Sequence, residues 1–272
     1  MFSSTLTIHA TAIIHPTAVI GENVTIGPFS IVEEGVKIGD GCKVGSHVLI
    51  GSHTQLGKNN QIFQGAIVGA VPQDKSCKNG GDRLIIGDNN TIREYVTISK
   101  GTHKSDGVTR VGDGNLLMNY VHIGHDAILG NHIVIANSAQ LAGHVEIEDY
   151  VFIGGQVCIL QFCKIGKLSM IGGMSGVSQD IVPYSLANGE RGDICGVNIL
   201  GLRKEGISRD EVKIIKEIHS ILFRQKLSLA KSIEAINALP PSECKHHTLQ
   251  FLNKSTQGIA RMNDKFTPPN NN

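Results

Sequence analysis

No tryptophan occurs among the 272 residues, and aromatic side chains make up only 4% of them. A thick core built on large rings is thereby excluded, and a narrow interior of small and aliphatic side chains is favoured. No charge of either sign is in large excess, the formal net value being +1. The chain as a whole therefore sets up no field for nucleic acid or an anionic membrane. There is no run of eighteen apolar residues, and Met1 to Ile14 has no basic segment followed by an apolar one. A membrane span and a secretory leader are not expected, and the expected compartment is cytoplasmic. The six cysteines, at 42, 77, 158, 163, 195 and 244, form no Cys-x-x-Cys pair. In a chain of this length they read as small hydrophobes in a reducing compartment, not as a disulfide or zinc framework.

What is abundant is glycine, at 32 residues, and a repeat of six. Every sixth residue from Ile8 to Val68 is Ile, Val or Leu, and the same phase resumes at Ile86, Ile92 and Ile98. After a shift of one residue the pattern runs again, unbroken, from Val111 to Val177. The second position of the hexad is often glycine, as in Ile20-Gly21, Ile26-Gly27, Val44-Gly45, Leu129-Gly130 and Ile165-Gly166. Such a hexad suits one short strand and one tight corner: an aliphatic pointing inward, then a glycine where the backbone is expected to take an unusual φ. Three hexads close one coil of a prism, and stacked coils bury a continuous aliphatic column. The fold class expected is mainly β, a parallel β-helix over 1–184, followed by a small α-helical C-terminal domain over 185–262. Spacing does not set the hand of the coil.

Two stretches break the column, 71–85 and 99–110, and loops ejected from so regular a scaffold are candidates for binding. The repeat stops near Asp180. Ser208 to Glu211 fits a capping box, with Val212, Ile215, Ile218, Leu222 and Phe223 on one helical face. Further helices are expected over 229–239 and from Ser242 to about Lys254, and the tail 263–272 is expected to be disordered.

Residues 18 apart lie above one another in such a coil, which sets Gly143 over His125 and His144 beside it, with His122 half a hexad before. An imidazole is the usual base for activating a hydroxyl near neutral pH. His125 is the candidate base, Asp126 its orienting group, and the amide of Gly143 a donor for a tetrahedral oxyanion. No metal is expected, because no two histidines stand five residues apart as in the zinc-binding hexapeptide proteins. No covalent intermediate and no cofactor are needed.

Asn119-Tyr120-Val121-His122-Ile123-Gly124-His125-Asp126, Leu141-Ala142-Gly143-His144, Gln161-Phe162-Cys163 and Gly196-Val197-Asn198-Ile199 resemble the acyl-acyl carrier protein:UDP-N-acetylglucosamine O-acyltransferases. So do Pro72-Gln73-Asp74 and Ile92-Arg93-Glu94, and the likeness covers nearly the whole chain. It implies a left-handed coil and a homotrimer with sites between neighbouring prisms. It also implies transfer of a 3-hydroxyacyl chain from acyl carrier protein to the 3-hydroxyl of UDP-N-acetylglucosamine, the first step of lipid A synthesis. By the same resemblance His125 is the base and Gly143 the oxyanion donor. The resemblance further implies that Asp74, Gln161 and Asn198 help hold the substrates, that His122 and His144 line the site and that Gly173 limits acyl length; Gln73 is expected to bind beside Asp74, and Arg203 and Lys204 to replace cations the chain lacks. The chain departs from the family at Lys75-Ser76, Ser99-Lys100, Leu160, Leu200 and Glu205, positions tied to gripping the nucleotide sugar or the carrier. Another nucleotide-sugar acceptor, such as a 3-amino sugar, and a catalytically idle trimeric scaffold are the alternatives. Arg203, Lys204, Lys213, Lys216, Arg224 and Lys226 suit an acidic carrier protein, or form a solvated helix face.

Overall fold

The structure, a computed structural model, describes residues 7–75, 77 and 82–262. Two-residue strands pair in parallel with the strand one coil on: Thr7–Ile8 with Thr25–Ile26, Ile13–Ile14 with Ile31–Val32, Val19–Ile20 with Lys37–Ile38. Three sheets of 11, 9 and 8 strands form the faces of a left-handed parallel β-helix. From the second coil on, the inward aliphatic of each hexad is buried and its neighbour faces out, as in Thr25–Ile26 and Lys37–Ile38, while Ile8 at the open start is exposed. Ile50, Ile92, Ile98, Leu117, Ile123, Ile135, Leu141 and Ile153 are sealed completely.

The two interruptions leave this register intact. Leu56 pairs with Ile86, Ile62 with Ile92 and Val68 with Ile98, a step of 30 residues instead of 18. The first excursion thus inserts twelve residues, two hexads, and the phase is kept. Ile86 pairs with Val111, Ile92 with Leu117 and Ile98 with Ile123, a step of 25. The seven residues of the second excursion produce the one-residue phase shift. Both excursions are shorter than the sequence suggests, because Arg83–Ile86 and Val108–Val111 pair as strands, as does Thr97–Ser99. Ser76, Lys78 and the Gly80-Gly81 pair lie outside the described residues, as does the tail from 263.

The hexad glycines are not there for an unusual φ. The left-handed residue is the one three positions after the inward aliphatic, and it is usually not glycine: Asn23, Phe29, His47, His53, Tyr120, Asp126, His132, His144 and Phe162 all have φ between 54° and 66°. Glycine at the second position answers a different constraint, the approach of the next coil. A Cβ built on Gly27 would lie 2.7 Å from the carbonyl carbon of Gly45.

The solenoid also runs one strand further than the hexads. Ser185–Asn188 pairs in parallel with Met170–Ile171, with Ala187 in the inward place, and then antiparallel with Asp193–Val197. Helix α1 (Ile199–Lys204), absent from the sequence reading, follows under an Asn198 cap. Helices α2 (Arg209–Phe223), α3 (Leu229–Asn237) and α4 (Glu243–Lys254) pack on one another, and Leu202 of α1 joins Ile215 of α2 and Cys244 of α4. Ser208 caps α2 as expected, but Glu211 does not fold back on it. Its carboxylate accepts from Ser242 Oγ at 2.6 Å and from the Cys244 amide at 3.2 Å, tying the start of α4 to α2. Asp180 accepts the Ser255 hydroxyl and pairs with Ile259, so the chain's return covers the open end of the column.

His219 of α2 is buried against Phe223, and its Nε2 has no partner among the described residues. Burial, with the nearby Arg224 charge, pushes its pKa down to about 4. The unfolded chain therefore binds a proton that the folded chain refuses between about pH 6.5 and 4, and stability falls as pH drops through that window. The loss attributable to this ring is about 3 kcal/mol. Denaturant midpoints measured from pH 7 to pH 4 are expected to fall less steeply in His219→Gln than in the parent.

Candidate active site

His125 and Asp126 sit at the corner between His122–Ile123 and Ile128–Leu129, and His144 and Phe162 occupy the Asp126 position one and two coils on. The second corner residue needs a left-handed backbone, φ 59° at Asp126 and 60° at His144, which places side chains of neighbouring coils in one stack. The His144 ring lies flat on Phe162, centroids 4.6 Å apart, and meets the His125 ring edge-on at 5.1 Å.

The Asp126 side chain is only 1% exposed, and all four of its acceptor positions are used. Oδ1 accepts from the Thr102 amide at 2.8 Å and from Ser105 Oγ at 2.5 Å. Oδ2 accepts from Thr102 Oγ1 at 2.7 Å and lies 2.8 Å from His125 Nδ1. Burial alone raises the pKa of this carboxyl, but the donors from Ser105, Thr102 and His125 outweigh it and the net shift is downward. An ionised Asp126 requires a proton on His125 Nδ1. The lone pair is left on Nε2, which has no partner among the described residues.

Gly143 packs directly on that ring. A Cβ built there would lie 2.6 Å from His125 Cε1 and 2.7 Å from Nε2. Its own N–H meets no acceptor among the described residues, so a basic nitrogen and a free amide share one opening. Beside them is an open cavity bounded by Ser105, Asp126, Ile128, His144, Phe162 and Lys164. His122 binds Thr97 Oγ1 through Nδ1 at 2.7 Å. The pKa values of His122 and His144 are both lowered, chiefly by burial. Neither ring adds a positive charge beside His125 at neutral pH.

His125, Asp126 and His144 also form the one group among the described residues whose atoms lie close enough to hold a metal ion. The donor set argues against that use, because every acceptor position on the carboxylate already takes a hydrogen bond.

Of the other residues singled out in the sequence, Gln161 stands exposed in the His125–Gly143 column, one coil further on. Asp74 comes to the site from the first excursion, its Oδ2 2.7 Å from Lys104 Nζ on the second. Gln73 is exposed beside it. Gly173 is exposed on the adjacent corner, and a Cβ there would meet only the Gly155 backbone. Asn198, Arg203 and Lys204 are elsewhere. Asn198 caps α1 through the Gly201 amide and donates to the Leu168 carbonyl, at a different corner of the prism. Arg203 and Lys204 end the same helix, exposed. The sequence reading missed Thr102, Lys104 and Ser105; its only pointer to them was the break in the hexads.

A family model described as "Udp N-acetylglucosamine O-acyltransferase; Domain 2" matches residues 180–260, and one for the bacterial transferase hexapeptide repeat matches 17–52. The acyl-[acyl-carrier-protein]–UDP-N-acetylglucosamine O-acyltransferase of Paracidovorax citrulli is 50% identical over 206 residues, 74% of this chain and 79% of that one. Its counterpart from Myxococcus xanthus is 44% identical over 202 residues, 74% of this chain and 78% of that one. Among solved structures, the UDP-N-acetylglucosamine acyltransferase of Francisella novicida superposes with a TM-score of 0.92 at 38% identity, covering 95% of each chain. That of Campylobacter jejuni gives 0.90 at 40% identity, covering 94% of this chain and all of the other.

Gly143→Ala forces the His125 ring off its bond to Asp126 or the two coils apart. Turnover in a steady-state assay is expected to fall by about a hundredfold or more, the scale for losing a catalytic donor. Unchanged turnover would mean that this ring and this amide do not share a reacting centre.

Proposed function

The chain belongs to the family of acyl-[acyl-carrier-protein]–UDP-N-acetylglucosamine O-acyltransferases, and on that premise we propose that it acylates the sugar 3-hydroxyl through His125. The reaction is the transfer of an acyl chain from acyl carrier protein to UDP-N-acetylglucosamine, the first step of lipid A biosynthesis. The observation that carries the assignment of roles is the Gly143 backbone lying on the His125 ring, with Nε2 free and Nδ1 held by Asp126.

In this reading Nε2 takes the proton of the 3-hydroxyl as its oxygen attacks the thioester carbonyl. The carbonyl oxygen gains the negative charge and accepts the Gly143 amide. The intermediate collapses with release of the carrier's thiolate, which recovers the proton from the imidazolium. Asp126 keeps the ring in the tautomer the first step needs. His144, Gln161 and Asp74 line the opening for the sugar nucleotide. The acyl chain runs across the face carrying His122 and Gln140 toward Gly173, whose missing side chain leaves room for a long 3-hydroxyacyl group.

Asn198, Arg203 and Lys204 serve this chemistry only in an assembly, since within one chain they lie at another corner. One face also exposes Ile13, Ile31 and Ile67 in register, with Phe29, Tyr95 and Tyr120 along its edge. An apolar face of this kind favours association, and a three-fold arrangement brings the helical end of one prism to the histidines of the next. Sedimentation equilibrium is expected to return three times the mass of one chain. A fully active single chain would refute the assembly.

The function is tested by presenting 3-hydroxyacyl carrier proteins of graded chain length with UDP-N-acetylglucosamine and detecting product by mass. Product is expected with the parent and to fall by about a thousandfold or more with His125→Ala, from the loss of the base and the cavity it leaves. Full activity in that variant would remove His125 from the mechanism, and no product from a well-folded parent would redirect attention to another acceptor.

A further inference from the structure

The excursion at 100–107 does more than border the cavity. Its backbone is pinned to the solenoid: the Lys100 amide donates to Ala70, the Gly101 amide to Arg83, and the Asp82 amide to Gly101, each near 3 Å. The Lys100 ammonium, buried, donates to Ser52 Oγ at 3.0 Å, and Lys104 pairs with Asp74. So anchored, the strap presents two hydroxyls and one amide to a single carboxylate.

We propose that Thr102 and Ser105 are positioning residues for the acyl-transfer base: their hydrogen bonds to Asp126 set how tightly that carboxylate holds a proton on His125. Resting on the reading of His125 as the base, the proposal names what tunes it. Thr102 Oγ1 and His125 Nδ1 share one oxygen, Oδ2, and so compete for its charge. Donors to a carboxylate spread its negative charge and weaken its hold on a neighbouring imidazolium. Both hydroxyls therefore draw charge away from the carboxylate that faces the ring. The same four bonds also fix the carboxylate's rotation, and hence the plane of the ring.

Thr102 is fully buried, so no water can replace a deleted hydroxyl without displacing protein. Ser105 borders the open cavity, where water can take over its bond to Oδ1. The two positions should differ in effect accordingly. The other charged or titratable groups facing this pair are His144, with Nε2 3.6 Å from Oδ2, His122, Lys104 and Asp74. Beyond them on the cavity side are the Asp106–Arg110 and Glu146–Lys164 pairs. Thr102→Val keeps the shape of the side chain but also removes the bond from the Lys104 amide to Oγ1 at 3.3 Å, which Thr102→Ser retains.

The experiment follows the His125 ring by nitrogen NMR through a pH titration of the full-length, substrate-free protein. Parent, Thr102→Val, Thr102→Ser and Ser105→Ala are compared, and kcat/KM is measured against pH for each. Thr102→Val is expected to raise the ring's titration midpoint by about half a unit or more, which lowers kcat/KM about threefold one unit below the acid limb. At high pH kcat/KM should also fall, but by less than on the acid limb, because three of the four bonds still orient the carboxylate. Thr102→Ser should restore the parental midpoint, and Ser105→Ala should shift it upward by less. Equal midpoints in parent and Thr102→Val, or a Thr102→Ser midpoint matching Val and not Thr, would overturn the proposal. If Thr102→Val does not fold, the sign of the Ser105→Ala shift decides. The ring titration needs no substrate, so absence of acyl transfer in every variant would count against the proposed function without deciding the strap.

Discussion

The spacing between coils is the constraint on which everything else depends. Backbone hydrogen bonds hold each strand one rung, about 4.8 Å, from the strand 18 residues on, and the aliphatic column inside has room for no other period. The register survives twelve inserted residues at one place and seven at another because both insertions leave the prism at a corner and return to the same rung. The catalytic arrangement follows from the same spacing. At one rung's distance an imidazole can lie against the backbone of the next coil only where that coil has no Cβ, and the chain supplies Gly143 there.

A buried carboxylate is costly unless its acceptors are filled. Three of the four bonds to the Asp126 carboxylate come from Thr102 and Ser105, which belong to no hexad, and the second excursion is therefore part of the His125 corner. That loop reaches Asp74 of the first excursion through Lys104 and the Asp126 carboxylate through Thr102 and Ser105. The corners themselves, with a left-handed residue every six positions, account for the side-chain stacks. His144 lies against Phe162 for the same geometric reason that Phe29 lies against His47.

Much of this is legible in the sequence. The hexads give the coil and its three-strand period, and the 18-residue arithmetic places Gly143 above His125 before any coordinate is known. The apolar face of α2 is equally plain. Other features carry no such signal. The hairpin 185–197 escapes because Ala187 fills an inward place that the repeat reserves for larger aliphatics, and α1 is too short for periodicity to register. The role of the hexad glycines was misread because a contact with the next coil and a strained φ demand the same residue. Thr102 and Ser105 were out of reach, since hydroxyl contacts made across 24 and 21 residues leave no local pattern. Asn198 shows the converse: a polar residue in a motif shared with the family spends both its side-chain groups on a helix cap and the Leu168 carbonyl.

The central claim is that His125 Nε2, under the Gly143 backbone, is the group that receives the proton of the sugar hydroxyl. A structure of the protein with UDP-N-acetylglucosamine bound tests it most directly, through the distance from the 3-hydroxyl oxygen to the ring nitrogens around it. The account predicts that this oxygen lies about 3 Å from His125 Nε2, with the Gly143 amide open to the carbonyl that will approach it. A sugar seated with its 3-hydroxyl against His144 or His122, and His125 Nε2 out of reach, would contradict it.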